Sequence, residues 1–378
     1  MKIEIDENIN KLFLIGNGFD LAHKLNTRYS DFINYIWENE KEYFIKTVNN
    51  QQNSFREFIY KGELLSLTIP VSHRINPVFY FDEIENSYNY FKKHFINVPL
   101  MNISSEDTGI EFSVNNIFIK NISEKSSLLN WVDIEEEYYS ELKHCLNSKN
   151  ADDIKNLNID FDNMRSLLKN YLSLKANKKI ILIPGIIDKI KNIIQPELVA
   201  GNNKLNNNVC ILFLNFNYTN TVKLYIEYFR NIIPQVIDNN NIHGELNNVN
   251  NPIIFGYGDE LDEDHKKIEN INDKHYLENE KSVNYAKTPN YRNLLKFINT
   301  QQFDVYIMGH SCGKSDRTLL NSIFKHKNCK TIKSFYYINE KGIDDQDDRI
   351  MNLYLNFKDK SLFRAKVIDK TNCEPLVN

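Results

Sequence analysis

Four short segments combine backbone freedom with side chains that can hold or move protons. In NIHGE (241–245) a histidine precedes a glycine at the end of a short strand-like run. An imidazole with an ordinary pKa of about 6.5 suits proton abstraction at neutral pH, so His243 is the candidate base among nine histidines. FNYTNT (216–221) follows the run VCILFL and opens a helix-length stretch. There the Asn217 amide donates and accepts at once, which suits a ribose hydroxyl or a water, while Asn217 and Thr219 equally suit plain helix capping. GNGFD (16–20) joins two glycines to an acid after the run LFLI. Gly16 and Gly18 permit a close approach of backbone to phosphate, yet the third glycine and the later acid of the dinucleotide fingerprint are missing, and Asp20 also reads as an ordinary first-turn acid. GHSCGKSD (309–316) follows DVYIM: Gly309 and Gly313 allow a sharp turn, Ser311 offers a hydroxyl, and Ser315 or Asp316 caps the next helix. GHSCG also fits the GxSxG elbow of serine hydrolases, but the only histidine that follows is His326, about four helical turns later.

Chemistry at these positions requires elements that bring them together. LFLI (12–15), KIILIP (179–184), VCILFLNF (209–216), PIIFGYG (252–258), DVYIMG (304–309) and IKSFYYI (332–338) read as buried strands bounded by Gly, Pro or Asn. Amphipathic stretches at 219–232, 291–300 and 316–327 alternate with them. Alternation of this kind predicts an α/β fold with a Rossmann-like, mostly parallel sheet flanked by helices, in which all four segments sit at the C-terminal strand edges where ligands bind. Residues 70–175 read as a mostly helical insertion into an α/β nucleotide-binding domain formed by 1–69 and 176–378. The Asn-rich NNKLNNN (202–208) and DNNN (238–241) read as loops.

Composition narrows the function classes. The 378 residues carry 46 basic and 50 acidic side chains, a net charge of −4, so no basic excess draws the chain to nucleic acid or an anionic membrane. No apolar run nears the roughly 20 residues of a membrane span, and the N-terminal KIEIDENINK is not a signal peptide. Five scattered cysteines without a CxxC pair fit a reducing cytoplasm and supply neither a disulfide frame nor a structural metal site.

Taken in order, LFLIGNGFDLAHKLNTRYSDF, WVDIEEEYY, FNYTNTV, IHGE with IIFGYGDE, and IMGHSCGKSDRTLL resemble the bacteriophage abortive-infection AbiH family over residues 12–325. The family commonly has HGLPT where this chain has HKLNT, with Lys24 and Asn26 in place of a glycine and a proline. The same series is similar to the sirtuin-like NAD-binding fold. That resemblance implies a loop of Gly16, Asn17, Gly18 and Asp20 around the phosphates, Asn217 near the nicotinamide ribose, His243 as catalytic histidine, and Gly309 with Ser311 against the adenosine half. Thr219 stands where the sirtuin pattern has an aspartate, and the CxxC zinc site of protein deacylases is missing. The resemblances imply antiphage defence by an NAD-cleaving enzyme, a cytoplasmic location, a phage-derived trigger and a homo-oligomer. A nucleotide-sensing module that binds NAD without turnover is the alternative. In WVDIEEEYY (131–139), Asp133, Glu136 and Tyr139 fall on one helical face. The bland reading is a solvated acidic face; the sharper one has Glu135 deliver an acid to the pocket.

Overall fold

The computed structural model describes residues 9–51, 57–70, 92, 103–104, 111–129, 133–148, 150, 152–176, 179–195, 209–233, 235–258 and 262–377. These fall into two compact units, Met1–Thr27 with Leu172–Asn378, and Arg28–Tyr171.

The first unit is built on five parallel strands: β1 (Asn10–Ile15), β2 (Cys210–Asn215), β3 (Val236–Asn241), β4 (Phe303–Met308) and β5 (Cys329–Phe335). Their order across the sheet is β3-β2-β1-β4-β5. Successive side chains of a strand face opposite sides. Leu12, Leu14, Leu212, Leu214, Val305 and Ile307 accordingly enter one core, while Phe13, Ile15, Ile211 and Phe213 enter the other. Helices α2 (Pro184–Ile194) and α3 (Thr221–Arg230) cover the second core; α5 (Asn290–Thr300) and α6 (Arg317–Phe324) cover the first. Right-handed crossovers require this division, because the strand order runs one way from β1 to β3 and the other way from β4 to β5. The reversal leaves a switch point beside β1, at the C-terminal ends of the strands. At the other end, Lys11 Nζ meets Asp304 Oδ2 at 3.0 Å, and Thr331 Oγ1 donates to Asp304 Oδ1 at 2.6 Å, tying β1, β4 and β5 together.

Two expected strands are absent from the sheet. In KIILIP, Pro184 lies in the first turn of α2, Ile183 is its N-cap, and Ile181 is exposed. A proline at a helix start favours the helix it opens, so the run leads into α2 instead of pairing with the sheet. PIIFGYG forms no strand, and only Tyr257 makes an isolated bridge, to Glu280. Conversely, DNNN (238–241) is part of β3, not a loop. Its asparagines bond outward from the edge strand: Asn240 Nδ2 donates to the Asn290 carbonyl at 2.8 Å, and Asn290 Nδ2 returns a bond to the Asn241 carbonyl at 2.8 Å.

The second unit holds helices Tyr29–Gln51, Ile117–Leu129 and Ile134–Asn147, together with most of Asp152–Ala176, which runs past its boundary. A small antiparallel sheet joins Glu57–Lys61, Leu65–Pro70, Glu111–Val114 and Ile103–Ser104 in that order. This unit starts at Arg28, whereas the sequence reading starts the insertion at 70. The difference lies in the long helix and the hairpin that precede 70. The Tyr138 and Phe161 rings pack with centroids 4.1 Å apart, and Phe118 lies edge-on to both. Asp133 is the N-cap of Ile134–Asn147, accepting from the backbone N–H groups of Glu135 and Glu136, and Glu135 is buried. Trp131 lies outside the described residues. Among the described residues, no helix is long and apolar enough to cross a membrane.

The helix α1 (Asn17–Ala22) ends in a turn in which Lys24 has φ 59°. A lysine thus takes the left-handed conformation at the position where the HGLPT pattern has a glycine, which costs an L-residue about 1–2 kcal/mol. Lys24→Gly removes that cost but adds freedom to the unfolded chain, so we expect a net stabilisation of about 0.5–1 kcal/mol and a melting temperature about 2 °C higher. A lower melting temperature would show that the lysine side chain holds the turn in another way.

Candidate functional site

The turns that follow β1, β2, β3 and β4 touch one another at the switch point. The β1 and β4 turns approach backbone to backbone. Gly18 N–H donates to the Gly309 carbonyl at 2.8 Å, and Gly16 N–H to the Met308 carbonyl at 3.2 Å. A Cβ on Gly16 would lie 2.4 Å from His310 Cα, and one on Gly309, at φ +80°, 2.2 Å from Phe19 N. The glycines therefore serve the seating of one turn on another. Two of the amides a phosphate cradle would use are spent internally. Asn17 is exposed in this loop, and its Oδ1 accepts from Thr27 Oγ1 at 2.5 Å.

The β2 turn is clamped to the first. Asn217 Nδ2 donates to the Gly16 carbonyl at 3.0 Å, and Asn217 N–H donates to Asn215 Oδ1 at 3.1 Å. Asn215 Nδ2 in turn reaches the Thr219 carbonyl at 3.1 Å and Asn241 Oδ1 at 3.0 Å, so one buried amide fixes both the β2 turn and the end of β3. Asn217 Oδ1 accepts no bond from the described residues. Thr219 Oγ1 donates to Asp20 Oδ2 at 2.5 Å. An aspartate at 219 would set two carboxylates against each other here, which accounts for the threonine. Burial pushes the Asp20 carboxyl up to about 6, against the pull of hydrogen bonds from Thr219, Thr221 and Asn217. Its second oxygen, Oδ1, is buried without a hydrogen-bond partner.

The β3 turn carries His243, which is buried and joins a cluster around Asp316. His243 Nε2 lies 3.2 Å from Asp316 Oδ1 and 3.0 Å from Tyr285 Oη. Lys281 Nζ, from α4 (Lys281–Tyr285), reaches Asp316 Oδ1 at 2.8 Å, and His310 Nε2 reaches Oδ2 at 3.3 Å. The Phe216 ring packs edge-on against both imidazoles, with centroids 4.1 Å from His310 and 5.2 Å from His243. The tautomers follow from the partners. Cys312 N–H donates to His310 Nδ1 at 2.9 Å, so the proton of His310 is on Nε2, facing the carboxylate. A carboxylate facing His243 Nε2 likewise places the proton there and leaves Nδ1, which makes no hydrogen bond with the described residues, as the basic nitrogen. Burial opposes the charge on Asp316, yet the Lys281 ammonium and the imidazole hydrogen bonds hold it well below the ordinary carboxylate range. Burial lowers the His243 pKa, with Lys281 and His310 adding to the effect and Asp316 opposing it. The ring is thus neutral at physiological pH.

The sequence-derived candidates separate accordingly. Gly16, Gly18, Asp20, Asn217, His243 and Gly309 meet across neighbouring turns. Ser311 follows them but is exposed, and Asn352 Nδ2 holds its carbonyl at 3.0 Å. The hydrolase alternative loses its geometry, because His326 packs against Phe303, at the opposite end of β4, and bonds to Asn299 and Asn328. Asp316, expected as a helix cap, makes no capping bond and turns its carboxylate inward. Lys281, Tyr285 and His310 were missed. Only the histidine stood in a recognised motif, while the other two come from a short helix with no glycine turn to mark it. His73 and His94 lie outside the described residues.

A family model described as bacteriophage abortive infection AbiH matches residues 12–338 of the chain. No curated protein matches it in sequence.

Two outcomes follow from the geometry. Gly16→Ala forces a methyl group into the His310 backbone, so it should destabilise the protein by about 1–3 kcal/mol in denaturant titration; an unchanged midpoint would mean that the turns part freely. Asp20 has a folded pKa raised from 3.8 to about 6, so its contribution to stability is complete below pH 4 and lost as pH rises through 6. Asp20→Asn should accordingly be the more stable protein at pH 8, by roughly 2–3 kcal/mol, with the advantage gone at pH 4. A difference independent of pH would contradict a buried carboxylate with one oxygen left without a partner.

Proposed function

The chain belongs to the bacteriophage abortive infection AbiH family, and on that premise we propose that its contribution to phage defence is to bind NAD at the switch point and hydrolyse the nicotinamide–ribose bond. One observation carries this reading. Three acceptors of the site stand open: Asp20 Oδ1 lacks any donor, and Asn217 Oδ1 and His243 Nδ1 accept from none of the described residues. A ligand that satisfies them brings hydrogen-bond donors, as ribose hydroxyls and a water molecule do. An orphaned carboxylate oxygen buried beside a βα turn also suits a sugar hydroxyl better than a phosphate, whose charge it would repel.

Under this reading the bond from the anomeric carbon to the nicotinamide nitrogen breaks first, and its electron pair leaves with nicotinamide. The oxocarbenium-like sugar then takes the oxygen of a water oriented by Asn217 Oδ1, and the water's proton passes to His243 Nδ1. The products are nicotinamide and ADP-ribose. A histidine kept neutral by burial can act as base at any pH above its lowered pKa.

The test is release of free nicotinamide by the purified full chain incubated with NAD. His243→Ala is expected to lower the rate by 10²-fold or more, in line with the loss of a general base, and Asn217→Ala by a similar factor. NAD binding without nicotinamide release by the wild type would overturn cleavage and favour the sensing alternative. Turnover that survives His243→Ala would remove the histidine from the chemistry.

A further inference from the structure

The Asp316 cluster holds more charge than a structural contact needs, and its arrangement bears on how the proposed base is set. We propose that Asp316 and Lys281 are positioning residues that act as a pair: the carboxylate fixes His243 with its proton on Nε2 and its lone pair on Nδ1, and the ammonium keeps that carboxylate from turning the ring into a cation. The proposal deepens the reading of His243 as a general base and rests on it.

The geometry supports each half. Asp316 Oδ1 is shared between Lys281 Nζ at 2.8 Å and His243 Nε2 at 3.2 Å, so the imidazole faces an anion already paired. Lys281 is itself buried, and Nζ also donates to the Ser315 carbonyl at 3.2 Å, which pins it to the loop carrying Asp316. Asp316 Oδ2 faces His310 Nε2 at 3.3 Å, so each oxygen of the carboxylate meets one imidazole and the group cannot swing away from His243 without releasing His310. Among the described residues, the titratable and charged groups around His243 are Asp316, Lys281, His310 and Tyr285, with the Tyr218 ring at a centroid distance of 6.5 Å. Tyr218 Oη is engaged with the Ile254 carbonyl at 3.0 Å. An unpaired Asp316 beside the ring would favour the imidazolium, which has no lone pair left to take a proton from water. With Lys281 in place the carboxylate is already paired, and the ring is spared.

The two residues therefore push His243 in opposite directions, which a merely structural role would not do. The experiment is NMR of the full chain containing ring-labelled histidine, with the His243 signals assigned by their loss in His243→Gln. The wild type is expected to show a single tautomer protonated on Nε2, with a titration midpoint below that of an ordinary histidine. Lys281→Met should raise the midpoint by at least one pH unit, so that the protonated fraction at a given pH rises about tenfold; Asp316→Asn should lower it or abolish titration. Midpoints that both stay fixed, or that move in the same direction, would overturn the proposal, as would a wild-type proton on Nδ1. The double variant Lys281→Met with Asp316→Leu removes both members of the pair and covers the case in which a single variant fails to fold. Its ring should show a mixture of tautomers, and retention of the wild-type tautomer would sink the assignment. Because the NMR readout needs no substrate, failure of NAD cleavage leaves it intact. Where nicotinamide release is present, the acidic limb of its pH profile should follow the same midpoints.

Discussion

A buried carboxylate that must not stand alone organises this site. Asp316 is removed from water at the end of β4, and an isolated charge there would be untenable. The fold answers with a lysine from the short helix α4 and an imidazole from each of the turns after β3 and β4. Those partners come from segments some 35 to 73 residues upstream and from the same loop, so satisfying one acid sets the positions of several turns at once. The orientation of His243, the neutrality of its ring and the availability of Nδ1 all descend from that requirement.

A second constraint acts on the other side of the switch point. The β1 and β4 turns are pressed together until their backbones touch, which only glycine at 16 and 309 allows. The two halves of the doubly wound sheet are locked at their reversal. Asn217 extends the lock to β2 by reaching the Gly16 carbonyl, and Asn215 extends it to β3 through Asn241. A network of neutral amides suits this task, since each donates and accepts in fixed directions without adding charge to a buried region.

Much of this was legible in the sequence. Four of the five strands of the parallel sheet were visible as short apolar runs, whereas the Asn-rich β3 was read in part as a loop; the segments expected to carry chemistry do lie at the C-terminal ends of the five strands. KIILIP and PIIFGYG misled because an apolar run states only that it will be buried, and strand pairing depends on which edges are free. The glycines of GNGFD were legible as glycines, yet the same spacing serves phosphate binding and turn packing, and only the position of Gly309 and His310 separates the two. Asp316 read as a cap because it precedes a helix. Its true partners are fixed by tertiary contacts with Lys281 and His243, which no local pattern reports. Lys24 is the opposite case: a residue that departs from the expected glycine while its backbone takes a conformation that favours glycine.

The central claim is that acceptors from three separate turns engage one nucleotide. A crystal structure of His243→Gln with NAD bound tests it most directly, because the variant keeps a neutral polar side chain at the position and would trap the unreacted ligand. The account predicts the nicotinamide ribose against Asn217 and residue 243, with a ribose hydroxyl donating to Asp20 Oδ1. NAD bound away from these turns, or an Asp20 Oδ1 still without a donor in the complex, would contradict it.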